Sequence, residues 1–293
     1  MEFVFSGSKP VHIKEFLRSL GISGTCYKKI KANKSLLLNG QESNSNVLLT
    51  KDDIVSCTFP TESNNLVPEK LSLAIIYESH LLLAVNKPAG LLVHPTVSSR
   101  TGSLANRVAA YYEQTCQQNG IHPVSRLDKN TSGLVLFAKN SYAQYVLSQQ
   151  TMVKEYLALV EGCPLPLTGR IAAPIARKPG SIIERIVDFT KGAEAVTEYK
   201  VLKNFGTFSL VLFALHTGKT HQIRVHSAYI GHPLLGDNLY GTPGPENRHL
   251  LHAWHLGLTE PLSGEKTNIY CPLPKDFVNM LKNKEMCYNE NTK

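Results

Sequence analysis

The chain has 293 residues, of which 42% are hydrophobic and 18% are charged, and this composition excludes an intrinsically disordered protein. No stretch approaches the roughly 18 apolar residues of a membrane span, and the first residues lack the basic region and apolar core of a secretory signal. The net charge of +8 favours a polyanionic partner such as RNA, although many basic proteins bind no nucleic acid.

Residues 1–60 are predicted to form a small separate module. Apolar spacing predicts a helix over 10–20, and a second, basic helix without acidic residues is predicted over 25–34. Asn39-Gly40 lies between short apolar runs and predicts a β-hairpin. The proline-bounded polar stretch 61–70 is interpreted as a linker.

Residues 71–282 are predicted to form the main domain, followed by a polar tail over 283–293. Many strand-like runs alternate with a few helical ones, which predicts an α+β fold with a mixed or mainly antiparallel sheet. Strands are expected at 73–77, 81–85, 134–138, 154–161, 171–175, 182–188, 195–202 and 207–215, with helices at 102–112, 142–150 and 221–230.

Six cysteines are scattered without a C-x-x-C pair, at positions 26, 57, 116, 163, 271 and 287. At this chain length, a disulfide framework is not expected from such spacing. The cysteines are therefore interpreted as reduced thiols in a cytoplasmic protein.

One motif dominates the main domain: a polar, turn-forming stretch over 122–133 leads directly into the apolar run 134–138. A strand of this kind can hold the preceding loop in place and fix the carboxylate of Asp128. Arg126 and Lys129 flank this carboxylate and favour its ionised form. From the chemistry alone, a surface turn with a local ion pair is the favoured interpretation, because loops of this composition are common.

The run VSRLDKNTSGLVLFAKN resembles the HRLD-x-x-TSG signature of the RluA-type pseudouridine synthases, which isomerise uridine in structured RNA. Ser125 stands where this family commonly has histidine. Further blocks resemble the family in the family's order, at 76–95, 154–158, 217–226, 231–237 and 251–253. The N-terminal module resembles, more loosely, the small αL RNA-binding module of ribosomal proteins.

The resemblance implies a role for five residues. Asp128 is the expected catalytic carboxylate, which acts as a nucleophile on the sugar or as a general base, and Arg224 is its expected partner. Tyr156 and Ile223 are the expected aromatic and aliphatic walls around the uracil. Arg126 is expected to fill the gap left by the everted nucleotide or to support the loop.

Several functional alternatives remain open at this stage. The leading hypothesis is a monomeric synthase that acts on large-subunit ribosomal RNA; transfer RNA is the second choice, and a noncatalytic RNA-binding or assembly protein the third. A hydrolase is disfavoured for two reasons. The spacing of His249, His252 and His255 suits no metal site. No second catalytic carboxylate is evident, because Asp237 is interpreted as a turn cap. The sequence contains no cofactor motif, so none is predicted.

Overall fold

The structure is a computed structural model that describes residues 1–44, 46–59, 61–62, 64–96, 99–244 and 248–290. It comprises a small N-terminal module and a larger main domain built on one extended sheet. In the described part of the chain, no helix has the length and apolar character needed to cross a membrane.

The N-terminal module combines two short helices with small sheets. The order of paired strands is β1-β6-β3-β4, and β2 pairs with β5. Asn39 and Gly40 both have positive φ angles, of 50° and 82°, which suit a tight two-residue hairpin and confirm the predicted turn. The elements are β1 (Glu2–Val4), β2 (Val11–His12), α1 (Ile13–Ser19), α2 (Gly24–Ala32), β3 (Leu36–Leu38), β4 (Gln41–Glu42), β5 (Leu48–Leu49) and β6 (Ile54–Cys57).

The module packs directly on the main domain. One hydrophobic cluster joins module residues such as Leu17 and Ile30 to Leu134 of the main domain. The ring of Phe59 stacks on Tyr142, with the ring centroids 4.8 Å apart. The domain division at 61–70 stays a prediction, since the apolar core runs across it.

The main sheet has ten strands among the described residues, in the order β12-β15-β16-β11-β17-β10-β8-β7, with β18 on β17 and β9 on β10. Its pairs are antiparallel except for β10 with β17, so the predicted α+β fold with a mainly antiparallel sheet is confirmed. β13 (Ile175–Arg177) and β14 (Arg185–Val187) form a separate pair. The ten strands of the main sheet are β7 (Ala74–Glu78), β8 (Leu82–Lys87), β9 (His122–Pro123), β10 (Ser132–Ala138), β11 (Val153–Glu161), β12 (Thr168–Ala172), β15 (Val196–Asn204), β16 (Phe208–Leu215), β17 (Leu251–Thr259) and β18 (Lys266–Tyr270).

The helices of the main domain are α3 (Leu104–Gln114), α4 (Ser141–Ser148), α5 (Gln222–Tyr229) and α6 (Lys275–Glu290). The side chains of Ser103 and Asn140 cap α3 and α4. The first three helices confirm the predicted ones, whereas β17, β18 and α6 were not predicted. Helix α6 extends the backbone through the predicted polar tail to Glu290, and 291–293 lie outside the described residues.

Two predicted strands differ from the structure. The predicted strand 182–188 is formed only as β14, over Arg185–Val187. The run 171–175 is not continuous, because β12 ends at Ala172 and β13 begins at Ile175 in a separate two-stranded sheet. Pro174 lies between them and has no amide hydrogen for a ladder bond.

Strand β10 lies in the interior of the sheet, and all seven of its residues are buried. It pairs in parallel with β17 through Ser132–His252 and Gly133–Ala253. Gly133 has φ 113°, and an added Cβ would lie 2.3 Å from the Ala253 carbonyl oxygen, so only glycine fits here. This close approach places the loop before β10 beside β17 and the start of α5.

Candidate active site

The Asp128 loop (residues 124–131) connects β9 to β10, and Lys87 anchors it through a hydrogen bond to its backbone. The Lys87 side chain is fully buried at the end of β8, and its ammonium donates hydrogen bonds to the carbonyls of Pro88, Leu91 and Lys129, at 3.0, 2.8 and 2.9 Å. Burial lowers the pKa of Lys87 to about 7, but three carbonyl acceptors match the three donors of a charged ammonium. Lys87 therefore anchors the residue next to Asp128.

Two buried histidines anchor the other end of the loop. His249 Nε2 lies 2.8 Å from Thr131 Oγ1, and His252 Nδ1 lies 2.9 Å from Ser132 Oγ. Burial lowers the pKa of these histidines to about 3 and about 4, with nearby arginine charges acting in the same direction. Both imidazoles are therefore neutral at physiological pH and act as hydrogen-bonding supports.

Helix α5 carries two of the predicted site residues, Ile223 and Arg224, and its first residue fixes its position. The buried Gln222 side chain donates to the Val196 carbonyl and to Thr197 Oγ1, and its oxygen accepts from the Lys219 amide. These bonds tie the first turn of the helix to β15. Arg224 consequently faces the Asp128 loop.

Arg224 lies between two carboxylates. Its Nε and Nη2 donate to Asp237 at 2.8 and 2.7 Å, while Nη1 lies 3.6 Å from Asp128 Oδ2. The predicted pairing of Asp128 with Arg224 is therefore present as an ion pair, but the bidentate partner is Asp237. The Asp237 side chain also accepts from the amides of Leu239 and Tyr240, as expected of a turn cap.

The buried pair sets the charge next to Asp128. Burial alone would raise the pKa of the Asp237 carboxyl, but the hydrogen bonds and charge of Arg224 outweigh it and lower this pKa. The pKa of Arg224 is raised by Asp237 and Asp128, against the effect of its own burial. Both groups are therefore ionised at neutral pH.

The five residues named from the sequence lie around one cleft of about 360 Å³, which includes space open to solvent. The Asp128 side chain is 26% exposed, and Arg126 is exposed at the rim of the cleft. Ile223 is buried in a hydrophobic cluster, and Tyr156 packs against this cluster. A register shift in the β11–β17 pairing falls between residues 155 and 156, where it can re-aim the tyrosine. Burial, helped by the charge of Asp128, raises the pKa of Tyr156, so its phenol is protonated at neutral pH.

One neighbour of the Asp128 carboxylate, His221, was not predicted from the sequence. Its Nε2 lies 3.8 Å from Asp128 Oδ2, and its Nδ1 lies 2.8 Å from the hydroxyl of Tyr240. His221 belongs to the Thr-His-Gln-Ile-Arg block quoted above, so the signal was present, but the spacing alone says nothing of this contact. Ser125, at the position where the family commonly has histidine, accepts a hydrogen bond from the Leu136 amide.

The three histidines considered as metal ligands have separate partners. His255 lies 2.7 Å from Glu155 Oε2 and 3.0 Å from Asn268 Oδ1, while His249 and His252 contact the Asp128 loop and β10 as above. Within the described ranges, no group of three or more histidine, cysteine or acidic side chains could hold a metal ion.

Comparison with known proteins places this chain in a family. The sequence model of the family described as RNA pseudouridylate synthase matches residues 81–229. The human RNA pseudouridylate synthase domain containing 4 shares the fold, with a TM-score of 0.61 and 24% identity over 72% of this chain and 93% of that one. The uncharacterized RNA pseudouridine synthase YjbO of Bacillus subtilis is 38% identical over 92% of this chain and 98% of its own length.

A second kind of relative carries a more specific name. The ribosomal large subunit pseudouridine synthase D of Neisseria meningitidis serogroup A is 38% identical over 76% of this chain and 64% of its own length. The fold and the matches define an enzyme that isomerises uridine in RNA. This chain belongs to the RluA-type family of RNA pseudouridine synthases.

Proposed function

We propose that this enzyme forms pseudouridine in large-subunit ribosomal RNA, with Asp128 as its catalytic carboxylate. The choice of RNA is supported by the name of the Neisseria relative. The role of Asp128 is supported by one observation above all: its carboxylate faces a cleft with the guanidinium of Arg224 3.6 Å away. This arrangement places a cation beside the carboxylate in a site that a nucleotide would close to water.

The reaction breaks the bond between the ribose and a ring nitrogen of uracil, turns the base, and joins the ribose to a ring carbon. An ionised Asp128 can attack the sugar carbon as a nucleophile or remove a sugar proton as a general base. The reaction is an isomerisation without redox change: the ring carbon that joins the ribose loses its proton, and the released ring nitrogen gains one, either directly or through solvent.

The walls of the cleft suit an everted pyrimidine. Tyr156 offers an aromatic face and Ile223 an aliphatic one, and a flipped base is commonly held between such side chains. Extraction of a uridine from a stack costs a few kcal/mol. The exposed guanidinium of Arg126 at the rim can stack in the vacated position or contact a phosphate.

The central experiment compares Asp128→Asn with the wild type on ribosomal and transfer RNA from a strain that lacks this gene. We expect the variant to bind RNA within twofold of the wild type but to form no pseudouridine, and EDTA to leave the wild-type rate unchanged. Asp52→Asn is the matched control, because Asp52 is exposed and its φ of 71° also suits asparagine. Normal product from Asp128→Asn would refute the catalytic assignment, and product on transfer RNA alone would refute the assignment of the substrate.

The N-terminal module supplies a second RNA-binding surface in this proposal. Basic side chains of α1 and α2 surround one hollow beside Tyr27: Lys14, Arg18, Lys28 and Lys31. Each lysine that neutralises a phosphate contributes close to one unit to the salt dependence of binding. We expect the double variant Lys28→Ala/Lys31→Ala to make the negative slope of log K against log salt shallower by about 1 to 2 units. An unchanged slope would show that the basic face is only solvated.

A further inference from the structure

We propose that Tyr240 is a positioning residue for Asp128 and that it acts through His221. This inference rests on the catalytic role proposed for Asp128. Tyr240 follows the buried Asp237 turn, and neither Tyr240 nor His221 was assigned a role from the sequence.

A chain of contacts leads from a hairpin to the carboxylate. The backbone amide of Arg185, at the start of β14, donates to Tyr240 Oη at 2.8 Å. Tyr240 Oη lies 2.8 Å from His221 Nδ1, and His221 Nε2 lies 3.8 Å from Asp128 Oδ2.

The hydrogen atoms can be assigned from this geometry. The phenol oxygen already accepts the Arg185 amide hydrogen, and it carries one hydrogen of its own. Among the described residues, His221 Nδ1 is the acceptor within hydrogen-bond distance of that hydroxyl. Nδ1 therefore accepts, so the neutral imidazole carries its hydrogen on Nε2, which faces Asp128.

The surroundings hold His221 in this position. Its φ of 59° is left-handed, which is uncommon for a residue other than glycine and persists where neighbouring contacts enforce it. The imidazole packs edge-on against the Tyr240 ring, with the centroids 5.7 Å apart, and the Arg224 guanidinium lies 5.0 Å from the same ring centroid. Tyr240 thus contacts both groups that flank Asp128.

The charges around His221 act in opposite directions. Burial lowers its pKa; Arg224 and Arg185 act in the same direction, whereas Asp128 and Asp237 raise it. His249 titrates nearby, and Lys219 lines the same cleft. The net lowering keeps the ring neutral, as the Tyr240 hydrogen bond requires.

The consequence concerns the orientation of the carboxylate. A distance of 3.8 Å is too long for a hydrogen bond, but catalytic contacts often shorten when the substrate is bound. An Nε2–H donor directed at Oδ2 would then select which oxygen of Asp128 faces the ribose. This series of contacts begins at Arg185 in the β13–β14 hairpin. A displacement of the hairpin would therefore also change the position of Asp128.

The test uses the full-length protein with ¹⁵N-labelled histidine. Long-range ¹⁵N–¹H spectra, with the His221 signal assigned from its loss in His221→Gln, report the tautomer. We expect the Nε2–H form in the wild type and a mixture in Tyr240→Phe. An Nδ1–H tautomer in the wild type would overturn the inference without any variant.

Kinetics supply the second arm. Tyr240→Phe should lower kcat by about ten- to a hundredfold, as misplacement of a catalytic group does, with KM for RNA within twofold of the wild type. Tyr229→Phe, an exposed tyrosine at the end of α5, is the matched control and should behave as the wild type. In a His221→Gln background, Tyr240→Phe should have no further effect on kcat.

The outcomes separate the two proposals. An equal loss in both backgrounds would show that Tyr240 acts independently of His221, which would overturn the inference. Normal kcat in Tyr240→Phe together with an inactive Asp128→Asn would remove the positioning role alone. An active Asp128→Asn would instead remove the catalytic assignment on which it rests.

Discussion

Replacement of Asp237 by asparagine tests the charge arrangement of the site most directly. The Asp237 side chain is fully buried and accepts two hydrogen bonds from Arg224, at 2.8 and 2.7 Å. Asparagine keeps an oxygen for the amides of Leu239 and Tyr240, but it removes the charge that balances the guanidinium. Loss of one partner from a buried ion pair costs about 3–5 kcal/mol. We expect the lower end, about 3 kcal/mol, because Asp128 still lies beside Arg224.

The same change should impair catalysis by a separate route. Once released from Asp237, Arg224 can close the 3.6 Å separation and bind Asp128 directly, which would occupy the lone pairs that the proposed mechanism requires. Urea unfolding followed by circular dichroism measures stability, and single-turnover pseudouridine formation measures the chemical step. Asp53→Asn is the control, because Asp53 is a half-buried turn cap in the N-terminal module that accepts a hydrogen bond from the Thr50 amide. If the free energy of unfolding of Asp237→Asn lies within about 0.5 kcal/mol of the wild type, which is typical of a surface substitution, the reasoning is refuted.

The pH dependence of stability supplies an independent check on Asp237. Because Arg224 lowers the pKa of this carboxyl below its ordinary 3.8, the stabilisation is complete above about pH 4. It is lost as the pH falls through the lower pKa of the folded state, since protonation removes the charge. The asparagine variant should lack this acid-dependent contribution, so its stability should fall less steeply than that of the wild type below pH 4.

Three further predictions concern other parts of the chain. Lys87→Met should lower the free energy of unfolding by about 2–4 kcal/mol in urea titrations, since three buried carbonyls lose their donor; an unchanged midpoint would contradict its anchoring role. The bonds of Glu62 to His122 and Ser141 outweigh its burial and lower its pKa to about 2, so its stabilisation is complete above about pH 4.5 and is lost as the pH falls toward 2. In Glu62→Gln the free energy of unfolding should depend less on pH between about 4.5 and 2. An equal pH dependence in the variant and the wild type would contradict the role of Glu62. Because burial raises the pKa of Tyr156, kcat should show no ionisation of this phenol up to pH 10, and a basic limb that disappears in Tyr156→Phe would contradict this.

Elements with strong local signals were predicted from the sequence. The β3–β4 hairpin follows from Asn39-Gly40, and β10 follows from an uninterrupted apolar run that is buried on both faces. Strand β17 lacks such a signal, because His252 and His255 interrupt its apolar pattern. The structure shows why they are tolerated: both are buried and hydrogen-bonded, to Ser132 and Glu155.

The supports of the site could not be predicted for a different reason. The five residues around the cleft were located because their motifs resemble a family, but their anchors act over long and unrelated separations. Lys87 reaches a carbonyl 42 positions away, and His249 contacts a residue 118 positions away. No periodicity connects such positions, since only the pairing of β8, β10 and β17 brings them together.

The way in which Arg224 is shared leaves the oxygens of Asp128 open to a substrate. A guanidinium that bound Asp128 through two hydrogen bonds would keep it ionised but would also occupy its oxygens. Here the Nε and Nη2 edge is taken by Asp237, so Arg224 offers Asp128 its charge through Nη1 at 3.6 Å, beyond hydrogen-bond distance. Asp237 carries a charge equal and opposite to that of Arg224, so the buried pair is neutral as a whole beside the carboxylate that faces the cleft. The buried aspartate thus determines that the arginine stabilises the charge of Asp128 without blocking its lone pairs.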